Sequence, residues 1–158
     1  MDVDHSKITD FEAWIALARE VEPLFGPMAD EMEFNEALKH AISNRTAFCI
    51  RSDPDEKDKA LKGGSVISKE SNEIAWLAVS EKYRGKGYGR QLLKFAIREL
   101  NPRERIIVQT FDETVAAGKP ARRLYKEFGF IDYKNGGLNP AGVPTVIMQL
   151  PGSESGNT

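Results

Sequence analysis

One stretch narrows the possible folds more than any other: Val79–Arg90, V-S-E-K-Y-R-G-K-G-Y-G-R. Before it, Ile74–Val79 is an unbroken apolar run that reads as a strand. After it, Tyr88, Leu92, Leu93, Ala96, Ile97 and Leu100 recur at the spacing of one buried helical face. Gly85, Gly87 and Gly89 therefore alternate with Lys86 and Tyr88 where a strand hands over to a helix. Glycine there permits positive φ and lets a ligand approach without meeting a Cβ. The first N–H groups of the helix lack intrahelical partners, and the helix dipole adds partial positive charge beside them. Together these make an anion site, most naturally for phosphate, with Arg84 and Lys86 adding charge. An ordinary left-handed turn needs fewer glycines and no flanking cations. No Gly-Lys-Ser/Thr follows, so this is not a P-loop, and the two-residue glycine spacing is not the dinucleotide fingerprint.

The rest of the chain reads as one domain over residues 1–150 with a polar, disordered tail at 151–158. A length of 158 residues, 41% hydrophobic and 29% charged, suffices for a sizeable core. The net charge of -2 argues against a broadly basic nucleic-acid surface. No apolar run approaches the ~20 residues a membrane helix needs, and the start, M-D-V-D-H-S-K, is too polar for a signal peptide. Cys49 is the one cysteine, which excludes an internal disulfide and suits a reducing, cytoplasmic setting. His5 and His40 are isolated, and no Cys/His set has metal-ligand spacing, so no metal is expected.

In chain order, Thr9 and Glu12 have capping-box spacing before a helix whose face holds Phe11, Trp14, Ile15, Ala18 and Val21. Pro23, Gly26 and Pro27 predict a loop, and Ala29–Ser43 a second helix. Thr46–Arg51 and Gly63–Ser68 read as paired strands across the charged connection Ser52–Leu61. Glu73–Val79 is the strand before the glycine turn, and Asn101-Pro102 ends the helix after it. Arg105–Thr110 reads as a buried strand. Pro120 opens a last helix that carries Ala121, Leu124, Tyr125 and Phe128 on one face and stops at Gly129. Phe130–Tyr133 and Pro144–Leu150 are the final strands.

Three ordered pieces resemble the GCN5-related N-acetyltransferase (GNAT) family: Leu77–Val79 ending a strand, R-G-K-G-Y-G at Arg84–Gly89, and A-R-R-L-Y-K-E-F-G-F at Ala121–Phe130. The second matches the family's [R/Q]-x-x-G-x-[G/A] turn, and the third its L-Y-x-x-x-G-F ending. The resemblance spans about half the chain. It implies an α/β fold with a mixed, mostly antiparallel central sheet, helices on both faces, and a splayed pair of strands. It implies acetyl-CoA as co-substrate, with the pyrophosphate on Arg84, Gly85, Lys86, Gly87, Tyr88, Gly89 and Arg90. The pantetheine arm would lie along Leu77, Ala78 and Val79, bonding to strand-edge groups of Ala78 and Val79. Tyr125 would stand near the sulfur as the proton donor.

The chemistry of the residues agrees. Acyl transfer to an amine needs a neutral amine, a polarised carbonyl and a thiolate that can be protonated. A tyrosine with reference pKa ~10 is protonated at neutral pH and can serve a thiolate whose acid has pKa ~8.5. Periodicity alone reads Tyr125 as a core aromatic, and both roles can hold together. Two positions depart from the resemblance. Many relatives carry Asn seven residues before the tyrosine, where this chain has Gly118, and Met1–Lys7 is too polar to support the family's first strand.

The acceptor reads as a small-molecule amine, with a protein N-terminus or lysine second. A CoA-binding sensor without turnover, another nucleotide-phosphate binder and a different acyl donor remain open, as does a homodimer. Glu20, Glu22, Asp30, Glu31 and Glu33 form either an acidic rim for the amine or solvated helix ends. The base is Asp112, Glu113, Glu73, Glu33 or water. Trp14, Phe25, Met28 and Met32 line an acceptor pocket or serve the core. Arg122 and Arg123 read as a solvated helix face within possible reach of CoA phosphates. Cys49, between Phe48 and Ile50, reads as a buried inert thiol rather than a nucleophile.

Overall fold

The structure, a computed structural model, describes residues 3–56 and 59–153. β1 (Val3–His5) leads through a 3-10 turn at Ile8–Asp10 into α1 (Phe11–Phe25) and α2 (Met32–Ser43). Next come β2 (Ala47–Arg51), β3 (Leu61–Ser68) and β4 (Glu73–Val79). A 3-10 turn at Glu81–Tyr83 and the glycine turn precede α3 (Tyr88–Glu99). The chain finishes with β5 (Ile106–Phe111), α4 (Lys119–Glu127), β6 (Ile131–Leu138) and β7 (Pro144–Leu150). Among the described residues, seven strands form one sheet in the order β1-β2-β3-β4-β5-β7-β6. Every neighbouring pair is antiparallel except β4 with β5. This is the mixed sheet with helices on both faces that the sequence predicts.

Alternation along the strands sorts the core into two layers. On β2, Ala47 and Cys49 face α1 and α2, packing with Trp14, Leu17, Leu38 and Ile42. Phe48 and Ile50 face the other way, toward Leu92, Leu93, Phe95 and Ala96 of α3. Each such leucine, fully buried, contributes roughly 1.5–3 kcal/mol. Gly63 and Gly64 let both layers close on the sheet beside β4. A Cβ at Gly63 would stand 2.9 Å from Leu92, and one at Gly64 would stand 2.5 Å from the Trp14 ring.

Several local expectations are corrected. Thr9 does not cap α1; Asp10 does the comparable work, accepting the Lys7 N–H at 2.7 Å while Arg51 grips the same carboxylate. α1 runs through Pro23 to Phe25, since a proline near the last turn forfeits one helical bond without stopping the chain. α2 starts at Met32 rather than Ala29, because Glu22 accepts the Met28 and Ala29 N–H groups at 2.8 Å each and holds them out of the helix. Residues 3–5 do form a strand, paired with β2, on the strength of one buried Val3 and of His5 packed edge-on against Phe48 and Phe95. β6 extends through Gly136 and Gly137 to Leu138, accommodating the glycines by register shifts against β7. Within the segment read as a tail, the Ser153 N–H donates to the Pro102 carbonyl at 3.0 Å. Residues 154–158 lie outside the described residues.

β4 and β5 pair only at Glu73 opposite Ile107 and Ile74 opposite Val108. Val66 pairs with Trp76 and Ile67 with Ile74, so Ala75 is an extra residue in β4. Such a bulge bends and twists its strand. β4 leaves β5 at this residue, while β5 stays registered with β7 through Phe111 opposite Thr145. The sheet is split along its middle.

Candidate active site

A cavity of about 800 Å3 occupies the split. Its side walls are Ile74–Val79 of β4 and Val108–Phe111 of β5. On the α3–α4 face it is bordered by the glycine turn and by Ala121, Leu124 and Tyr125 of α4. On the α1 face it is bordered by Val21, Leu24 and Phe25, together with Leu138, Asn139 and Pro140 of the β6–β7 turn.

The glycine turn is shaped for an anion. Gly85 and Gly87 take φ of 76° and 87°, left-handed values that an L side chain rarely adopts. A Cβ at either would meet nothing within 4 Å, so both face open space. The first bond of α3 runs from Gln91 N–H to the Gly87 carbonyl at 3.1 Å. The N–H groups of Tyr88, Gly89 and Arg90 thus have no partner within the helix, and no described side chain caps them. A diphosphate fits this cradle: bare amides, a helix N-terminus, and room where side chains would stand.

Of the residues singled out for this site, Leu77, Ala78, Val79, Arg84, Gly85, Gly87, Tyr88, Gly89, Arg90 and Tyr125 all border the cavity. Lys86 does not border it; its ammonium lies 5.8 Å over the Tyr83 ring. One of the two expected strand-edge positions differs: Val79 stays, and Leu77 takes the place of Ala78. Ser80 N–H donates to the Lys62 carbonyl, so by antiparallel alternation Ala78 presents its amide to Gly64 on β3. Leu77 and Val79 then present theirs to the gap, and Arg84 Nε already donates to the Val79 carbonyl at 3.1 Å.

Tyr125 is 4% exposed and packs edge-on against Phe130. No described group hydrogen-bonds to its hydroxyl, and burial pushes its pKa well above the usual tyrosine value. It is held neutral, as a hydrogen-bond donor must be. α4, which carries it, is bolted to β6 by Arg122, whose guanidinium donates to both oxygens of Asp132 at 3.0 and 3.2 Å. Arg122 is therefore buried rather than solvated, whereas Arg123 is exposed on the cavity rim. Gly118 has a packing reason: a Cβ there would stand 2.5 Å from the Phe111 Cβ, so an asparagine does not fit.

Most acids read as rim or base candidates have structural work instead. Glu20 accepts from Ser80 Oγ and the Glu81 N–H, Glu22 caps the α1–α2 loop, and Asp30 pairs with Arg19. Asp112 accepts the Thr114 N–H at 2.8 Å. Glu73 accepts from Ser71 Oγ at the zipped end of β4. Glu31, Glu33 and Glu113 are exposed and, like the others, do not border the cavity. Among the described residues, its only carboxylate is Glu127, paired with Arg90 on the glycine-turn side. Trp14 and Met28 are core, Met32 is exposed, and only Phe25 of that group borders the cavity. Cys49 is fully buried away from the cavity, and burial pushes its thiol up to about 11.

Sequence reasoning missed the brace under the glycine turn. Lys62 Nζ bonds the Tyr88 hydroxyl at 3.0 Å and Asp53 at 3.1 Å, and lies over the Tyr83 and Tyr88 rings. The Tyr88 and Asp53 bonds, in that order, hold its pKa above the usual lysine value. Tyr83 in turn donates to Glu56 at 2.7 Å. The available signal was a lysine at the start of a strand whose neighbours, Leu61 and Gly63, are uncharged. The far wall at Leu24, Phe111 and Leu138 to Pro140 had no local signal at all.

Comparison with known proteins bears on this geometry. The family described as Acetyltransferase (GNAT) domain matches residues 44–132. Among solved structures, the chain is similar to a GNAT-family acetyltransferase from Bacillus cereus, at 16% identity and TM-score 0.70 over 95% of this chain and 96% of that one. It is similar to the ribosomal-protein-S18-alanine N-acetyltransferase from Escherichia coli, at 20% identity and TM-score 0.66 over 94% and 92%. It is also similar to Arabidopsis thaliana NAA60, solved in complex with a bisubstrate analogue, at 18% identity and TM-score 0.67 over 93% and 95%. At these identities the structures show a shared fold. No curated protein matches the chain. The family match covers more than half of the sequence and takes in the glycine turn, the parted strands and the helix of Tyr125, so this protein belongs to the GNAT family and is an acetyl-CoA-dependent acetyltransferase.

Proposed function

We propose that the chain acetylates the primary amine of a small molecule by direct attack within a ternary complex. The observation that carries this reading is the continuous cavity through the split sheet, which joins the glycine cradle on one face to an apolar chamber on the other. Acetyl-CoA supplies an activated thioester. The amides of Gly85 to Arg90 hold its diphosphate, and the open edge of β4 at Leu77 and Val79 holds the arm and polarises the carbonyl. Lys62 props Tyr88 and Tyr83 beneath that cradle.

The amine nitrogen forms the new bond to the acetyl carbon as the carbon–sulfur bond breaks. The proton lost by the nitrogen ends on the sulfur. Tyr125 serves as the relay, giving its hydroxyl proton to the thiolate while regaining one from the nitrogen through water. Its raised pKa fits this concerted role, since no tyrosinate has to persist. An acyl-cysteine route is disfavoured by the position of Cys49.

The test is acetyl-CoA turnover with a mixture of primary amines, reading thiol release together with the mass of the amide. Equal release and amide formation is the expected result. Tight CoA binding with no transfer to any amine would make the chain a sensor. Calorimetry showing ATP or NAD bound more tightly than CoA would remove the donor assignment.

A further inference from the structure

Resting on the amine-acetylation reading, we propose that the α1 side of the cavity is an acceptor chamber for a primary amine carried on an apolar or aromatic body, and that it disfavours polycations and peptide N-termini. The chamber wall is aromatic and bridges the split. Phe25 of α1 lies edge-on to Trp76 of β4 at 5.8 Å and to Phe111 of β5 at 5.6 Å between centroids. Leu24, Leu138 and Pro140 continue the apolar surface.

Among the described residues, countercharge is missing from this side. The charged side chains on the cavity are Arg84, Arg90, Arg123 and Glu127, and its other titratable groups are Tyr83, Tyr88 and Tyr125. All belong to the glycine turn, its flanks, or α4. Of the nearby acids of α1 and the loop after it, Glu20, Glu22 and Asp30 are bound as caps or in an ion pair, and Glu31 is exposed and does not border the cavity. A second ammonium on the acceptor would lose water here and gain no carboxylate. The reacting ammonium meets the same condition, and desolvation favours its neutral, nucleophilic form. The chamber thereby does the work for which no side-chain base is present among the described lining residues.

The mouth also resists an extended chain. Asn139 Nδ2 donates to the Leu24 carbonyl at 2.8 Å, tying the β6–β7 turn to the end of α1. Its Oδ1 accepts the Ala141 and Val143 N–H groups. Pro140 sits so close that a Cβ on Gly26 would stand 2.6 Å away. A peptide lying between these two loops would have to break that tie. Gln109 and Thr145 are likewise bonded to the protein's own groups, Gln109 Nε2 to the Gly136 carbonyl and Thr145 Oγ1, and Thr145 Oγ1 to the Gly137 carbonyl.

The experiment compares kcat/KM for 2-phenylethylamine, spermidine, kanamycin and a peptide with a free alanine N-terminus, each with acetyl-CoA. We expect 2-phenylethylamine to lead each of the others by about 30-fold or more, the scale at which an apolar pocket discriminates. Leu138 is 70% exposed at the mouth, so Leu138→Glu adds a carboxylate without disturbing the core. That variant should narrow the phenylethylamine-to-spermidine ratio by about tenfold, with its melting temperature unchanged. A preference for spermidine, kanamycin or the peptide overturns the chamber assignment while leaving amine acetylation in place. So does a ratio indifferent to Leu138→Glu, or a kcat/KM profile limited by a group titrating at about pH 5 to 7. Bound acetyl-CoA with no transfer to any amine instead removes the parent reading.

Discussion

Tyr125→Phe separates a packing role from a chemical one, because the substitution keeps the first and removes the second. The ring is 4% exposed against Phe130, and phenylalanine keeps that contact. The hydroxyl has no described hydrogen-bond partner and borders the cavity, where water can solvate it, so its removal breaks no described bond within the protein. The variant should therefore match the parent in stability to within about 0.5 kcal/mol, a change of at most about 2 °C in Tm for a chain of this size. The rate should not be spared. Losing a positioned proton relay costs about 10²-fold in kcat or more, equivalent to about 2.7 kcal/mol of barrier. Acetyl-CoA affinity should stay within about twofold, since the cradle lies elsewhere. Thermal melts, calorimetry with CoA, and thiol release under saturating amine measure all three. A kcat within about threefold of the parent would refute the relay, and a lost Tm would show that the hydroxyl has a structural bond.

Three further outcomes follow from the geometry. Gly87→Val puts a β-branched side chain at a φ of 87° and into the open cradle, so CoA affinity should fall by about tenfold or more in a protein that remains folded by circular dichroism; unchanged affinity would contradict the cradle. Gly118→Asn should destabilise by about 1–3 kcal/mol in denaturant titration, because the obstacle is the Phe111 Cβ itself, and Phe111→Ala should not relieve it. Arg122→Met should cost roughly 1–2 kcal/mol, below the value for a fully buried pair because the Asp132 side chain is 50% exposed. Arg122 holds the Asp132 carboxyl below the usual range, so the pair's contribution is complete above the ordinary aspartate pKa and fades as pH falls through the lowered one. The difference in stability between parent and Arg122→Met should shrink in acid accordingly.

The parts of this fold that were legible in the sequence are those whose signal is local. The glycine turn, α3 and the start of α4 at Pro120 each announce themselves within about a dozen residues through spacing and caps. β1 escaped because one buried Val3 and a paired neighbour suffice to make an edge strand, and neither shows as periodicity. The second half of β6 escaped because Gly136 and Gly137 look like a turn, while β7 supplies a ladder that overrides them. The acids were ambiguous for a related reason. Glu20 reaches Ser80 across 60 residues of sequence, so its role as a brace exists only once the chain is folded. The cavity wall is the extreme case, since Leu24, Phe111 and Pro140 meet from three separate elements.

The extra Ala75 in β4 has a further consequence. By turning the strand away from its neighbour, it makes the sheet a perforated wall instead of a floor. Two molecules can then reach one point from opposite rooms. Under the proposed ternary mechanism, donor and acceptor approach from opposite sides of the sheet and meet at that gap.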